Sequence, residues 1–305
     1  MILLKAWISA FRLRTLPLSI SGILLGLALA NINGKWDLGL FLGAICTTLL
    51  FQITSNLAND LGDTLKGTDN KDRVGPMRSV QSGAISKKIM TYAIILFSVL
   101  SIISSGLLIY HCSISLSKQV LFMYMVLAVL CVIAAITYTI GKKAYGYHGL
   151  GDLMVFIFFG LVSVMGSYGL FGLNINILTL LGSISIGSWS VGVLNLNNMR
   201  DQENDKQSNK ITLAVRFGFL GAKNYHFVLM LTGILTWILL ISMISYSQNK
   251  GLYFFCLLPI LIIVFHLNKV AKMKHPKEFD PELKRIALAT FFASLLLFSL
   301  SYLLS

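Results

Sequence analysis

Residues 38–69, LGLFLGAICTTLLFQITSNLANDLGDTLKGTD, join a long apolar run to a group of carboxylates without a break. The apolar part can cross a bilayer as one helix, because a helix rises about 1.5 Å per residue and the hydrocarbon core is about 30 Å thick. Residues three or four apart are neighbours on a helix, so the polar side chains share one face. They are Gln52, Asn56, Asn59, Asp60 and Asp63. The stretch therefore predicts a membrane helix that ends in a polar site.

A second stretch, residues 197–205 with the sequence NNMRDQEND, repeats this arrangement at the end of a later apolar run. Asn197, Asp201 and Asp205 recur at intervals of four and share a face if the helix continues. Together with their flanking residues, the two stretches hold seven of the 12 acidic residues of the chain. Carboxylates at a membrane are costly unless cations stabilise them, so this concentration indicates a functional site.

Composition identifies the class of protein. Of 305 residues, 56% are hydrophobic and only 12% are charged, and the mean hydropathy is +0.77. Apolar runs of membrane-spanning length recur along the chain, and we predict an all-α, polytopic membrane bundle of nine transmembrane helices. The predicted spans are residues 16–33, 38–60, 89–110, 119–140, 150–172, 176–198, 221–246, 251–268 and 285–304.

The distribution of basic residues predicts the orientation of these spans. With a cytoplasmic N-terminus, 22 of the 25 Lys and Arg residues fall in the inner segments, and only Lys35, Lys118 and Lys250 fall outside. Cytoplasmic segments of membrane proteins carry such an excess of Lys and Arg. The net charge of +13 therefore sets topology and excludes nucleic acid as a partner. We predict a multi-pass cell-membrane protein with cytoplasmic active-site loops and an external C-terminus.

The ligand types in the two acidic stretches indicate the metal. Neither stretch contains His, and the four cysteines are scattered elsewhere, which argues against zinc. Oxygen ligands from Asp and Asn suit Mg²⁺, which takes one or two carboxylates and keeps positions for water and substrate phosphates. The predicted metal ligands are Asn59, Asp60, Asp63, Asp201 and Asp205. Two such groups on one side of the membrane, beside basic loops, predict a Mg²⁺–diphosphate clamp.

Basic residues near the two acidic stretches are candidates for binding the substrate diphosphate. The connection 61–88 is long and mixes cations with acids, which is typical of a substrate-binding loop. The candidates are Arg14, Lys66, Arg73, Arg78, Lys142 and Lys206. Topology anchoring explains Arg14 equally well, and snorkelling to the interface is sufficient for Lys142.

The motifs together resemble a known family. Residues 59–69 (NDLGDTLKGTD) and 197–205 resemble the two aspartate-rich motifs of the UbiA superfamily of intramembrane prenyltransferases, and residues 138–142 (YTIGK) are similar to its YxxxK element. Within it, residues 12–17 and 75–83 (GPMRSVQSG) most resemble the branch that prenylates 1,4-dihydroxy-2-naphthoate in menaquinone synthesis. Members that act on 4-hydroxybenzoate usually carry Asp where Gly67 stands here.

The resemblance implies one domain, residues 1–305, as a helical bundle around a central cavity that is open to lipid. It implies a polyprenyl diphosphate donor, an aromatic acceptor and Mg²⁺, with Asp60, Tyr138, Lys142 and Asp152 as candidate catalytic residues. It implies no obligate protein partner. The matching motifs after the second and sixth spans also suggest an internal duplication of helices 1–4 and 5–8.

Two alternatives remain open at this point. The same chemistry could act on 4-hydroxybenzoate, homogentisate or haem as the acceptor. A protein of another class, a membrane transporter of an anionic substrate, would also need cations and carboxylates in a membrane. Transporters place their polar residues near the middle of the membrane in broken helices, whereas these acids lie at helix ends, which favours the enzyme.

Overall fold

The computed structural model describes residues 2–70 and 74–304, and within them every regular element is a helix. The helices are α1 Ile2–Phe11, α2 Leu16–Ile32, α3 Leu38–Leu65, α4 Lys87–His111, α5 Lys118–Thr137, α6 Gly151–Val155, α7 Ser163–Gly169, α8 Ile177–Arg200, α9 Gln202–Gln207, α10 Leu213–Gln248, α11 Leu258–Lys272 and α12 Asp280–Leu304. A π-helical segment, Phe156–Val162, joins α6 to α7.

Nine helical segments in the described ranges are long and apolar enough to cross a membrane. This number and their order confirm the predicted fold class. Some helix boundaries differ from the predicted ones, because a capping side chain sets the end of the helix outside the apolar run. Helix α10 begins at Leu213, ahead of the predicted position 221, because the Thr212 side chain caps it by accepting from the Val215 amide. Gly218 then kinks it with a φ of 69°, a conformation that glycine adopts without strain.

Helix α3 also extends beyond its predicted end. It continues to Leu65, so the first acidic stretch lies on the last two turns of the helix. Gly67 follows with a φ of 74° and reverses the chain, and the Thr68 amide then donates to the Asp63 carbonyl. Gly67 therefore adopts the conformation of this helix end without backbone strain.

Helix α8 lies at the centre of the bundle and packs against α2, α10, α12 and the π-helical segment. Small residues allow these close approaches, as at Gly160, where an added Cβ would lie 2.6 Å from the Ser183 carbonyl oxygen. Gly22 and Gly26 of α2 are likewise in close contact with Ser163 and Ser167, and small residues four apart are typical of closely packed membrane helices. The acids that follow α8 are thus held at the end of a helix that is packed on several sides.

The ends of α3 and α8 meet on one side of the bundle, which we call the motif end. The opposite end is tied by different contacts. His111, at the end of α4, lies 3.0 Å from Asp37, which caps the start of α3. Lys250, after α10, donates to the carbonyl of Leu304 near the end of α12.

Candidate active site

A cavity of about 420 Å³ extends from the motif end into the bundle between α2, α3, α5, α8, α12 and the π-helical segment. Its polar end is lined by Arg12, Arg14, Asn56, Asn59, Asp63, Asp69, Arg78, Asn197, Asn198, Asp201, Asp205, Lys210 and Asp280. Apolar and aromatic side chains line the remainder, among them Ile23, Ala44, Leu108, Leu127, Phe158, Phe159 and Leu170. Along α3, the wall from Asp63 to Ala44 is about 28 Å long at 1.5 Å per residue.

Two hydroxyl groups fix the first acidic stretch. The Tyr147 hydroxyl donates to Asp63 Oδ1 at 2.7 Å and also lies 2.6 Å from the Thr68 hydroxyl. Burial and the Asp63 charge raise the pKa of Tyr147, so the phenol keeps its proton and acts as a donor. The Thr139 hydroxyl lies 3.3 Å from Asn59 Oδ1 on the same wall. Asn59 and Asp63 are therefore both oriented towards the cavity.

Asp60 belongs to the same stretch but has different partners. Its Oδ2 accepts from the Ser79 amide at 3.1 Å and its Oδ1 from the Val80 amide at 3.2 Å. The residue is almost completely buried, and the loop that carries Arg78 rests on it. The structure thus gives Asp60 a loop-anchoring position, apart from the cavity-facing Asn59 and Asp63.

The second acidic stretch is built around a buried cation. Arg200 Nε donates to Asp201 Oδ1 at 3.0 Å, and its Nη2 donates to Asp201 Oδ2 at 2.7 Å and to Asn197 Oδ1 at 2.9 Å. Helix α8 ends at Arg200, and the turn at Asp201 leads directly into α9, which carries Asp205. Asn197, Asp201 and Asp205 all line the cavity, although the helix does not continue through them as their spacing of four had suggested.

Lys210 connects the two acidic stretches. Its Nζ lies 3.6 Å from Asp63 Oδ1 and 3.8 Å from Asp205 Oδ1. Burial alone would lower the pKa of Lys210, but the two carboxylates outweigh it and raise the pKa, so the ammonium stays charged. The Asn204 side chain adds a link by donating to the Thr68 carbonyl at 2.8 Å. Two stretches far apart in sequence thus share one cation.

The predicted diphosphate-binding residues fall into three groups. Arg14 and Arg78 line the cavity, and Arg78 Nε lies 4.0 Å from Asp69 Oδ2. Among the described residues, Lys142 and Lys206 are exposed and lie outside the cavity wall, and Lys66 stacks on the Tyr147 ring with its Nζ 3.9 Å from the centroid. Arg73 lies outside the described residues.

The remaining candidate catalytic residues also separate. Tyr138 lines the cavity, but α5 ends at Thr137 and the chain turns at Gly141, so Lys142 is not one helical turn beyond Tyr138. Asp152 is buried at the start of α6 and accepts from the Tyr225 hydroxyl, away from the described lining of the cavity. The structure therefore places Tyr138 on the cavity wall, whereas Lys142 and Asp152 lie outside the described lining.

The side-chain oxygens at the polar end of the cavity are ligands of the kind that Mg²⁺ prefers. In residues 2–70 and 74–304, no group of three or more His, Cys, Asp or Glu residues forms a metal cage. Of the predicted ligands, those that line the cavity are Asn59 and Asp63 on α3 and Asp201 and Asp205 after α8, with the Lys210 ammonium between the two groups. Such a sparse oxygen set fits Mg²⁺, which retains waters and binds substrate phosphates.

Sequence reasoning missed three residues of this site. Lys210 follows the second acidic stretch in the same way as Lys206, and only the register of the turn decides which lysine is buried. Tyr147 had no signal, because its hydroxyl reaches Asp63 from a short 3-10 helix between α5 and α6. Thr68 could have been found from its place between Gly67 and Asp69.

The sequence of this chain is similar to those of known proteins over nearly its whole length. The sequence profile of the UbiA prenyltransferase family matches residues 19–296. The chain is 38% identical over 292 residues to a 1,4-dihydroxy-2-naphthoate octaprenyltransferase of Escherichia coli, covering 96% of this chain and 93% of that protein. It is also 38% identical over 304 residues to the protein of the same name from Haemophilus influenzae, covering 99% and 96%.

Solved structures share the fold at much lower sequence identity. An apo UbiA homologue from Aeropyrum pernix superposes with a TM-score of 0.68 at 15% identity, covering 93% of this chain and 99% of that one. A homologue from Archaeoglobus fulgidus, solved with GPP and Mg²⁺, gives 0.66 at 15% identity, covering 97% and 99%. At this identity the agreement concerns the helical fold.

Proposed function

Because this chain belongs to the UbiA prenyltransferase family and is a multi-pass membrane protein, we propose that it transfers a polyprenyl group from polyprenyl diphosphate to 1,4-dihydroxy-2-naphthoate. The products are diphosphate, CO₂ and demethylmenaquinol. The acceptor is proposed from the two relatives of that name, which align with nearly the whole chain. Family membership also decides against the transporter alternative.

The observation that carries this proposal is the meeting of both acidic stretches at Lys210, at one end of a long apolar cavity. A prenyl diphosphate has the same division, with a charged head and an apolar tail. The polar end suits the diphosphate, and the wall of about 28 Å along α3 suits an extended tail. Phe158 and Phe159 also line the cavity, and aromatic rings can stabilise the positive charge that develops on the prenyl group.

The Mg²⁺ that this reaction requires would be held by Asn59, Asp63, Asp201 and Asp205. When bound, Mg²⁺ supplies positive charge against the diphosphate oxygens, where negative charge grows as the leaving group departs. The chain adds cations of its own, because Arg14, Arg78 and Lys210 line the same end. Preorganised charges in a cavity that excludes water stabilise such a transition state strongly.

The bond changes follow from the two substrates. The bond between prenyl C1 and the diphosphate oxygen breaks, and the diphosphate leaves with the electron pair. The ring carbon that carries the carboxylate forms the new carbon–carbon bond to C1. The bond to the carboxylate then breaks, its electron pair returns to the ring, and CO₂ leaves. Tyr138, the cavity-lining candidate of the YxxxK element, is proposed to orient the acceptor hydroxyl.

We further propose that the motif end faces the cytoplasm, with the N-terminus inside and the C-terminus outside. The support is the placement of 22 of 25 basic residues on that side. In intact cells, a membrane-impermeant maleimide should label a cysteine placed at Asn249 and should reach one at Gln207 only after permeabilisation. The unmodified chain gives the background from its own four cysteines. The reverse labelling pattern would overturn this orientation.

The reaction is tested by giving the purified protein one prenyl diphosphate and three acceptors in parallel: 1,4-dihydroxy-2-naphthoate, 4-hydroxybenzoate and homogentisate. We expect the naphthoate to be prenylated fastest, with a product mass that has lost the carboxyl group. The Asp63→Ala variant, purified in the same way, is the control for contaminating activity. A naphthoate product that retains its carboxyl group, or faster turnover of 4-hydroxybenzoate, would overturn the proposed acceptor.

A further inference from the structure

Helix α12 contributes an acidic residue to the polar end of the cavity that belongs to neither motif. Asp280 is the first residue of α12, lines the cavity, and accepts through its Oδ1 from Nη1 of Arg200. The remaining nitrogens of the same guanidinium hold Asp201 and Asn197, as described above. Arg200 thus has carboxylate partners on two helical segments and is itself completely buried.

The contact between Arg200 and Asp201 restricts the position and the rotation of the Asp201 carboxylate. A guanidinium is a rigid planar fork, and two parallel N–H···O bonds fix both the position and the rotation of the carboxylate that accepts them. A carboxylate has about four lone-pair positions, so a carboxylate that accepts two hydrogen bonds from an arginine can still be a ligand of a metal ion. Hydrogen bonds to a ligating carboxylate typically change metal affinity or activity by about 10–100-fold when they are removed.

We propose that Arg200 is a positioning residue for Asp201, and that Asp280 fixes Arg200 so that α12 sets the geometry of the second acidic stretch. The inference rests on the proposed function, because it assigns Asp201 to the site that binds Mg²⁺ and diphosphate. Asp280 acts through Arg200 and does not itself hold the metal ion.

A purely electrostatic role and a positioning role of Arg200 predict opposite effects of its removal on cation affinity. Loss of its positive charge beside Asp201 would by charge alone strengthen cation binding, whereas loss of its fork would weaken it. We therefore measure Mn²⁺ binding by electron paramagnetic resonance, in the presence of inorganic pyrophosphate, on the full-length protein in detergent. We expect Arg200→Met to weaken Mn²⁺ binding about 10–100-fold. Arg200→Lys, which keeps the charge without the fork, should restore only part of the affinity.

A double-mutant cycle tests the role of Asp280. Asp280→Asn should weaken Mn²⁺ binding about tenfold in the natural chain and have no further effect in the Arg200→Met background. Glu278→Gln, two residues earlier, is the matched control for loss of an acid at this end of α12. Glu278 accepts from the Lys274 and His275 amides, away from Arg200, and should leave Mn²⁺ affinity unchanged.

Three results would overturn the proposal. The first is tighter Mn²⁺ binding in Arg200→Met, and the second is full Mn²⁺ affinity in Arg200→Lys. The third is an equal loss of Mn²⁺ affinity from Asp280→Asn in the natural and the Arg200→Met backgrounds, which would make Asp280 a direct ligand. If Arg200→Met does not fold, Asp280→Asn and Arg200→Lys still decide, because Asp280 is 42% exposed and a lysine keeps the buried charge. Mn²⁺ binding with pyrophosphate needs no acceptor, so failure of the proposed prenyl transfer would be seen separately in the product assay.

Discussion

The two acidic stretches reach the same cavity but are held in different ways. Asp63, on α3, accepts from a neutral phenol, the hydroxyl of Tyr147. Asp201, after α8, is held by the charged fork of Arg200. The two motifs look alike in sequence because each presents amides and acids at helical spacing. Their supports come from unrelated parts of the chain.

This difference has an electrostatic consequence. The neutral hydrogen bond from Tyr147 orients Asp63 without neutralising it, whereas the guanidinium in direct contact with Asp201 neutralises much of the Asp201 charge locally. Lys210 lies farther from its partners and is shared between Asp63 and Asp205. We infer that Asp63 makes the larger contribution to holding Mg²⁺ and diphosphate, and that Asp201 makes a smaller one.

The most direct test of this inequality removes one charge at a time. Asp63→Asn is expected to lower kcat by about 10³-fold and Asp201→Asn by about 10²-fold, the range found when one preorganised stabilising group is lost. The amide keeps the size of each side chain, but at position 201 it can accept only one of the two Arg200 bonds. This added loss at Asp201 works against the expected order, so a larger effect at Asp63 would be a strict test. Initial rates at saturating substrates over a Mg²⁺ titration give both values. Equal losses would show that the Arg200 charge does not weaken Asp201.

Lys210 should produce the next largest effect because it serves both stretches. Without the ammonium, Asp63 and Asp205 face each other with no shared cation, and the leaving diphosphate loses a stabilising charge. We expect Lys210→Met to lower kcat about 100-fold and to lower the Tm in Mg²⁺-free buffer, with part of the Tm recovered when Mg²⁺ is added.

Lys143→Met is the control for Lys210, since Lys143 is an exposed lysine after the end of α5 and should leave rate and Tm unchanged. An unchanged Tm for Lys210→Met in Mg²⁺-free buffer would contradict the bridging role. If added Mg²⁺ does not raise the Tm of Lys210→Met, Lys210 does not lie at the metal site.

The sequence predicted those features of the fold and the site that depend on residues close together in the chain, and it missed those that depend on contacts between distant residues. Hydropathy is summed over about twenty residues, and this long average predicted nine spans and their order. Helical periodicity is local and placed Asn59, Asp63, Asp201 and Asp205 on the cavity wall. It could not separate Asp60 from Asp63, because both lie on the polar face and only the backbone of the 74–85 loop selects Asp60.

The cations were less predictable than the acids. A lysine on a loop has no periodicity, so exposed Lys206 and buried Lys210 looked equivalent in sequence. Tyr147 lies outside every motif, and its role depends on a tertiary contact with α3. The duplication of helices 1–4 and 5–8 stays a prediction, and the different supports of the two stretches mean that any ancestral symmetry does not extend to the residues behind the acids.

The phenol support itself is tested by Tyr147→Phe, which removes only the hydroxyl. Asp63 then loses its 2.7 Å donor, and we expect the Mg²⁺ concentration for half-maximal rate to rise about tenfold, with kcat at saturating Mg²⁺ changed less. Tyr246→Phe is the matched control, because that hydroxyl is on a fully exposed residue at the opposite end of the bundle. If the two variants behave alike, Asp63 does not need its phenol.

The smallest effect is expected at Asp60, which the sequence placed among the metal and catalytic residues. Its two oxygens accept from the amides of Ser79 and Val80, and an Asn can accept only one of these bonds. The cost of one such bond, about 0.5–1.5 kcal/mol, corresponds to roughly a two- to tenfold change. Because the anchored loop carries Arg78, the change should appear in the KM for prenyl diphosphate.

Asp60→Asn should therefore raise that KM about two- to tenfold, leave kcat at saturating Mg²⁺ nearly unchanged, and speed proteolysis within residues 74–85. Asp37→Asn removes an equal charge at the other end of α3 while retaining a capping oxygen, and it should change neither KM nor loop cleavage. A fall in kcat as large as that of Asp63→Asn, with KM unaltered, would return Asp60 to the metal site. The order of the losses in kcat for the Asn variants of Asp63, Asp201 and Asp60 thus decides what sets the contribution of each acid to catalysis. The expected order would show that it is the contacts of each acid rather than its place in the motif.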